Sequence, residues 1–260
     1  MKCSHAAVVA LSILAALAAL GLLATLPAAC SSNGNASNPG PACDPCDSPD
    51  AGDSGAASVA AAHVTNPDGV PYPSPAGGYG RSARYGNIPG SVMQNFQFLG
   101  YPGGDRSAGL QTIALADYYD PCGKRYKVLH LTVAGIWCPN CQVETAALVA
   151  EKASLETQGI VLLQALSDGK TEGVAATPSD LDTWVNYYHV DFDEVLDPGL
   201  KNLGVFFPAS AIPWNADLDA RTMEILDVQL GAELDGSVAS GLDLLPAQPG
   251  YPIPAVCGDQ

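Results

Sequence analysis

Two nearly uninterrupted apolar runs, separated by one helix-length stretch, constrain this chain more than any other feature. Tyr126-Lys127-Val128-Leu129-His130-Leu131-Thr132-Val133 is rich in β-formers and almost continuously apolar after Lys127. Ile160-Val161-Leu162-Leu163-Gln164-Ala165-Leu166 has the same texture. Strands buried on both faces of a sheet read this way. Between them, Pro139 to Gln158 reads as a helix. Proline suits the first helical position, Gly159 suits the C-terminal cap, and Val143, Ala147 and Ala150 are expected on one buried face.

The flanking sequence extends this unit into one domain. Val92 to Leu99 alternates loosely and predicts an entering strand. Leu110 to Ala116 predicts a short β segment ending in the turn Asp120-Pro121-Cys122-Gly123. Thr177-Pro178-Ser179-Asp180 opens a second helix running to His189, and Phe192 to Leu196 suits a short strand. Trp214 to Leu218 and Met223 to Val228 flank the turn Asp219-Ala220-Arg221-Thr222 as a hairpin. Val238 to Leu245 reads as a weaker terminal helix. This order predicts an α/β domain over residues 91–245, with a central mixed sheet flanked by helices, followed by a tail over 246–260.

The preceding ninety residues are of two kinds. Lys2 is the only firm charge before Asp44, Ala6 to Leu26 is almost wholly apolar, and Pro27-Ala28-Ala29-Cys30 follows. A basic start, an apolar run and small residues before a cut site describe an export signal over residues 1–30. The run is also about long enough to span a bilayer uncleaved, since roughly 20 residues suffice. Residues 31–90 are rich in Ser, Asn, Gly, Pro, Ala and Asp and lack hydrophobic periodicity up to Val59, which predicts a flexible tether. Its second half carries Tyr72, Tyr79 and Tyr85 and is a candidate to lie along the domain surface. The formal net charge of −16 opposes binding to nucleic acid or to an anionic membrane surface.

The chemistry-bearing motif is Trp137-Cys138-Pro139-Asn140-Cys141, where the first buried strand gives way to the helix. Cys138 then sits at the helix N-terminus, where unpaired N–H groups and the helix dipole favour an anion. A free thiol titrates near 8.5, and in Cys-X-X-Cys motifs the value falls to roughly 3.5–7. Only the thiolate attacks a disulfide. The two-residue spacing brings the second sulfur close enough to close a ring, so Cys138 is the expected attacking thiol and Cys141 the resolving one. Trp137 is expected to shield the pair and offer an apolar contact. The other readings of the pair are a structural disulfide or half of a zinc site. The only other close pair, Cys43 and Cys46, lies in the tether, so neither a metal nor a cofactor is expected. Cys43 and Cys46 themselves suit a local disulfide, a relay to Cys138 or a crosslink. A copper carrier would want wider cysteine spacing and a partner His, which His130 and His189 do not supply at the right distance.

Trp-Cys-Pro-Asn-Cys at a strand-to-helix junction resembles the thioredoxin-like superfamily, in particular the exported TlpA/ResA-type thiol-disulfide oxidoreductases, over Val92 to Leu245. A second motif carries the resemblance: Ile212-Pro213-Trp214-Asn215-Ala216-Asp217-Leu218-Asp219, with Gly204-Val205 upstream. The resemblance implies a cis-proline at Pro213 facing the cysteine pair, with Pro208 as a rival at the wrong spacing. It implies a substrate chain lying along Trp137, Pro139, Ile212 and Pro213, with Ile212 and Pro213 aligning its backbone. It implies proton transfer by Glu144, three residues after Cys141, whose other reading is a solvated helix residue. Implied partners are protein thiols and disulfides and a further redox partner, with reduction the favoured direction. A peroxide-reducing relative would carry a Pro-x-x-x-Thr-x-x-Cys signature, which Cys138 lacks.

Ala28-Ala29-Cys30-Ser31 likewise resembles a bacterial lipoprotein signal, although Pro27 stands where that family prefers Leu. It implies lipidation of Cys30 and, with Ser31 next, tethering outside the cytoplasm at the outer membrane. An uncleaved anchor and a soluble secreted form are the alternatives. Several positions depart from the thioredoxin pattern. Thr132 replaces the buried Asp six residues before the first Cys, Ala146 replaces the helix Pro, and the hairpin turn lacks Gly. Trp214 replaces the usual Thr, which predicts a narrowed groove. Cys122 and Cys257, each in a turn-like Cys-Gly segment, are expected to bridge in an oxidising compartment.

Overall fold

A computed structural model describes residues 63–73, 87–208, 211–234, 236–246 and 254–257. Residues 1–30, read from the sequence as an export signal ending at Cys30, and the Cys43 and Cys46 pair lie outside the described residues. Among the described residues, seven strands form one sheet: β1 (Gln97–Tyr101), β2 (Gln111–Ala114), β3 (Val128–Gly135), β4 (Ile160–Asp168), β5 (Asp193–Leu196), β6 (Trp214–Asp219) and β7 (Glu224–Leu230). Their spatial order is β2-β1-β5-β4-β3-β6-β7. β4 runs parallel to both β3 and β5, whereas β6 is antiparallel to β3 and to β7, so the sheet is mixed. Helix α1 (Pro139–Gln158) connects β3 to β4, and α2 (Pro178–Tyr188) connects β4 to β5.

All eight residues of β3 are buried, as its apolar run predicts. Its side chains alternate between two cores. Leu129, Leu131 and Val133 join Leu163, Val195, Trp214 and Leu218 on one face. Val128 and Ala134 join Leu162, Leu148 of α1 and Leu181 and Trp184 of α2 on the other. The helix ends follow their sequence signals. Gly159 closes α1 in the left-handed region, at φ 92°, which a side chain disfavours. Thr177 and Asp180 form a reciprocal capping box at the start of α2.

Three expectations need correction. α1 buries Cys141, Glu144, Thr145, Leu148 and Leu155, whereas Val143 and Ala150 are exposed and Ala147 only half-buried. The helix is therefore rotated from its apolar stripe, because its inner face lies over polar pairs on β3 and β6. β1 begins at Gln97, and Val92 makes only an isolated bridge to Glu224. The terminal helix is a 3-10 segment, Ser237–Leu244. Residues 63–73, in the second half of the tether, do pack on the domain. The Asn66 side-chain amide donates to the Tyr119 carbonyl at 3.0 Å, the Tyr72 hydroxyl donates to the Met93 carbonyl at 2.8 Å, and Val70 is buried.

Cys122 and Cys257 are bridged, with Cα atoms 5.1 Å apart, tying a C-terminal turn to the turn before β3. A different buried group works against stability. Glu194 of β5 has no exposed surface, and neither carboxyl oxygen has a hydrogen-bond partner among the described residues. Burial holds this carboxyl well above its ordinary range. The folded state thus keeps a proton that the unfolded chain releases. Stability linked to Glu194 is complete below the unfolded carboxylate range and is lost as pH rises towards the folded value. Glu194→Gln should therefore be more stable than the parent at pH 7 by about 1–3 kcal/mol in urea unfolding, with the gap closing towards pH 4. A gap that stays constant between those pH values would remove Glu194 as its cause.

Candidate active site

The site grows from the C-terminal end of β3. Gly135 faces Asp168 at the end of β4, and a Cβ at Gly135 would come within 2.9 Å of Ile212 Cδ1 and 3.1 Å of Trp137 Nε1. Only glycine lets these three side chains meet there. The chain then turns through Ile136 and Trp137, and Cys138 becomes the N-cap of α1. Its sulfur accepts the Cys141 backbone N–H at 3.1 Å. Pro139 occupies the first turn, where its missing N–H costs nothing.

Cys138 and Cys141 are joined as a disulfide with Cα atoms 5.3 Å apart. Cys141 has no exposed surface and Cys138 retains 3%, while Pro139 and Asn140 are exposed. The outer sulfur therefore belongs to Cys138. Among the described residues, the cis peptide bond is Ile212–Pro213, not at the rival Pro208. The Ile212 carbonyl oxygen lies 3.6 Å from the Cys138 sulfur. The pairing of Val133 with Trp214 brings this bond to the end of β3.

Trp137 is half-buried, and its indole N–H donates to an Asp168 carboxylate oxygen at 3.0 Å. The same oxygen accepts the Gly173 N–H at 3.0 Å, which fixes the loop after β4 beside the site. Trp214 corrects the expectation of a narrowed groove. It is almost wholly buried on the opposite face of the sheet, stacked on Phe206 and Phe207 with ring centroids 5.3 and 5.0 Å away.

Glu144 lies on the same inner stripe of α1 as Cys141, one turn further on, and is wholly buried. The reading as a solvated helix residue is therefore wrong. Its carboxyl accepts the Glu233 backbone N–H at 2.7 Å, the Asn215 amide at 2.9 Å and the Thr132 hydroxyl at 3.1 Å. Burial raises its proton affinity above the ordinary carboxylate level, and these donors work against the rise. Thr132 thus sits where the resemblance has a buried acid, and it binds an acid carried by the helix. His130 is wholly buried and pairs through Nδ1 with Asp217 at 2.9 Å. His189 instead caps α2 in the left-handed region.

Sequence reading missed Asp168, Asn215 and Glu233. Asp168 was accessible, because it is the first carboxylate after the second buried run and must fall beside the end of β3 once the two strands are parallel. Nothing local marks Asn215 or Glu233, which reach Glu144 only through the fold.

The cap position generates a prediction for the reduced protein. Cys138 should titrate below the free-thiol value of about 8.5, and Cys141, buried further in, above Cys138. The pH dependence of alkylation, mapped to each cysteine, measures both. A Cys138 midpoint at or above the free-thiol value would contradict the role given to the helix tip.

No family model and no curated protein matches the sequence. Solved structures do show similarity. A DsbF homologue from Corynebacterium diphtheriae is 18% identical, with 60% of this chain and 87% of that chain covered and a TM-score of 0.45. A secreted thiol-disulfide isomerase from Corynebacterium glutamicum is 21% identical, with 58% and 84% covered and a TM-score of 0.45. AhpC from Enterococcus faecalis is 12% identical, with 61% and 92% covered and a TM-score of 0.46. The strand order, the helix leaving β3 with a cysteine at its cap and the cis-proline facing that cysteine make this a thioredoxin-like fold.

Proposed function

We propose that this protein is an extracytoplasmic, membrane-tethered thiol-disulfide oxidoreductase that acts on protein disulfides. The observation that carries the reading is the Cys138 sulfur at the cap of α1, opposite the carbonyl of the cis Ile212–Pro213 bond. In the reducing direction, the Cys138 thiolate attacks a substrate disulfide and forms a mixed disulfide, and one substrate thiolate leaves. Cys141 then gives up its proton and attacks the Cys138 sulfur. The second substrate sulfur leaves as a thiolate and takes up a proton, and the two electrons of the Cys138–Cys141 dithiol end on the substrate. Glu144, buried one helical turn from Cys141, is the group assigned to proton transfer. Trp137, Pro139 and Ile212 flank the sulfur, and the backbone before Pro213 is available to pair with an extended substrate chain.

Reduction is the favoured direction, on the resemblance to TlpA/ResA-type proteins. The leader over residues 1–30 and the Ala-Ala-Cys sequence support export with a lipid on Cys30, at the outer membrane of a two-membrane bacterium. The rival reading is a non-catalytic thioredoxin-like lipoprotein that holds a partner or a metal. Its sequence supports are the absence of a buried acid at Thr132 and the presence of Trp214 beside the cis-proline. Glu144 supplies a buried acid next to Thr132, and Trp214 packs on the far side of the sheet, so both of its supports weaken.

Insulin reduction driven by dithiothreitol tests the activity. Cys138→Ser should lose catalysis, and Cys141→Ala should accumulate mixed disulfides through Cys138. A Cys138→Ser variant as active as the parent rejects the assignment. The mass of the mature N-terminus tests the anchor: a diacylated or triacylated Cys30 is expected, and a free residue other than Cys30 rejects it.

A further inference from the structure

The antiparallel register of β3 and β6 places His130 opposite Asp217 and Thr132 opposite Asn215. These two polar rungs lie side by side under α1, and Glu144 accepts from both Thr132 and Asn215 of the second rung. The loop after β7 adds Glu233, whose N–H binds Glu144 and which keeps 8% of its surface exposed. The 3-10 segment covers most of the first rung: the backbone at Gly241 lies directly against the Asp217 carboxylate, whose side chain keeps 7% exposure. Two polar atoms in this cluster have no hydrogen-bond partner among the described residues: His130 Nε2 and Asn215 Oδ1. A buried imidazole with one nitrogen fixed by a carboxylate and the other free is equipped to take or give a proton.

The titratable groups facing His130 come from each element around it. They are Asp217 on β6, Glu144 on α1 and Glu233 on the loop after β7. Asp227 of β7 pairs across the strand with Asp217 and acts on Glu233, but is itself exposed. Burial works to lower the proton affinity of His130, and Asp217 with the other carboxyls outweighs it, so the net shift is upward. Burial raises both Glu144 and Glu233, and His130 opposes each rise. One imidazole is thus hydrogen-bonded to one acid and lies within the field of two more, in a pocket nearly closed to water.

We infer that His130, oriented by Asp217, is a positioning residue that shares protons with Glu144 and Glu233, so that the cluster holds the proton Cys141 releases when it resolves the mixed disulfide. This inference rests on the dithiol role proposed above. The step balances within the protein. The S–H bond of Cys141 breaks, its proton passes to the Glu144 carboxylate, and the sulfur electron pair forms the Cys138–Cys141 bond as the bond from Cys138 to the substrate sulfur breaks and leaves its electron pair on that sulfur. The departing substrate thiolate takes up a proton from water, and the cluster later releases its own to water by way of Asp217 and Glu233, its partly exposed members.

The test uses the full-length protein and two readouts. In NMR titrations, the His130 imidazole midpoint should differ between the oxidised and reduced forms by roughly one pH unit, and the difference should vanish in Glu144→Gln. In a Cys138→Ser background, His130→Gln should slow alkylation of Cys141 at pH 7 by roughly tenfold. The alkylation profile of Cys138, in a Cys141→Ala background, should stay as in the parent. Asp217→Asn, which keeps a polar partner for the ring, should give the same separation and serves if His130→Gln does not fold. A His130 midpoint that ignores the redox state of the pair, or Cys141 profiles unchanged in these variants, overturns the inference. Neither result bears on insulin reduction, so loss of the dithiol role and loss of the relay are read separately.

Discussion

A sulfur at a helix tip is held in place only as well as the helix itself, and in this protein the carboxyl of Glu144 holds the helix. Three donors from three separate pieces of chain, Thr132 of β3, Asn215 of β6 and the backbone of Glu233, converge on that one group. A buried carboxyl with no partner would cost several kcal/mol, so the three elements are constrained to meet at one point. An apolar contact would tolerate sliding. A triply bonded carboxyl does not, and it fixes both the depth and the rotation of α1 over the sheet.

The geometry at the sulfurs follows from that anchoring. With α1 set over β3 and β6, its N-cap falls at the end of β3, beside the Ile212 carbonyl. The opposite core fixes the other side. Trp214 follows the cis-proline directly and is stacked on Phe206 and Phe207, so the start of β6 is held from beneath while its polar side chains face α1. Gly135 lets Ile212, Trp137 and Asp168 close around one point. Polar order on one face and aromatic packing on the other thus position the same few atoms.

Much of this was legible in the residues. The limits of α1 follow from Pro139 and Gly159, and the two central strands follow from their nearly uninterrupted apolar runs. The rotation of α1 was not legible. Hydropathy ranks Val143 above Glu144 and Thr145, and only the polar partners beneath the helix, Thr132 and Asn215 for Glu144 and Gln164 of β4 for Thr145, make the second pair the better residues to bury. Residues 63–73 pack without apolar periodicity for a related reason. Asn66 satisfies the Asp68 and Val70 N–H groups with its own side chain, giving a turn that needs no apolar periodicity to pack. The same blindness applied to Trp214, whose side of the sheet depends on strand register.

The most direct measurement is the reduction potential of the Cys138–Cys141 couple, set against glutathione or dithiothreitol buffers. A pair that exchanges with substrates should fall within about −270 to −120 mV, the span of Cys-X-X-Cys redox proteins. A pair that stays oxidised below about −300 mV behaves as a structural disulfide and would contradict the account.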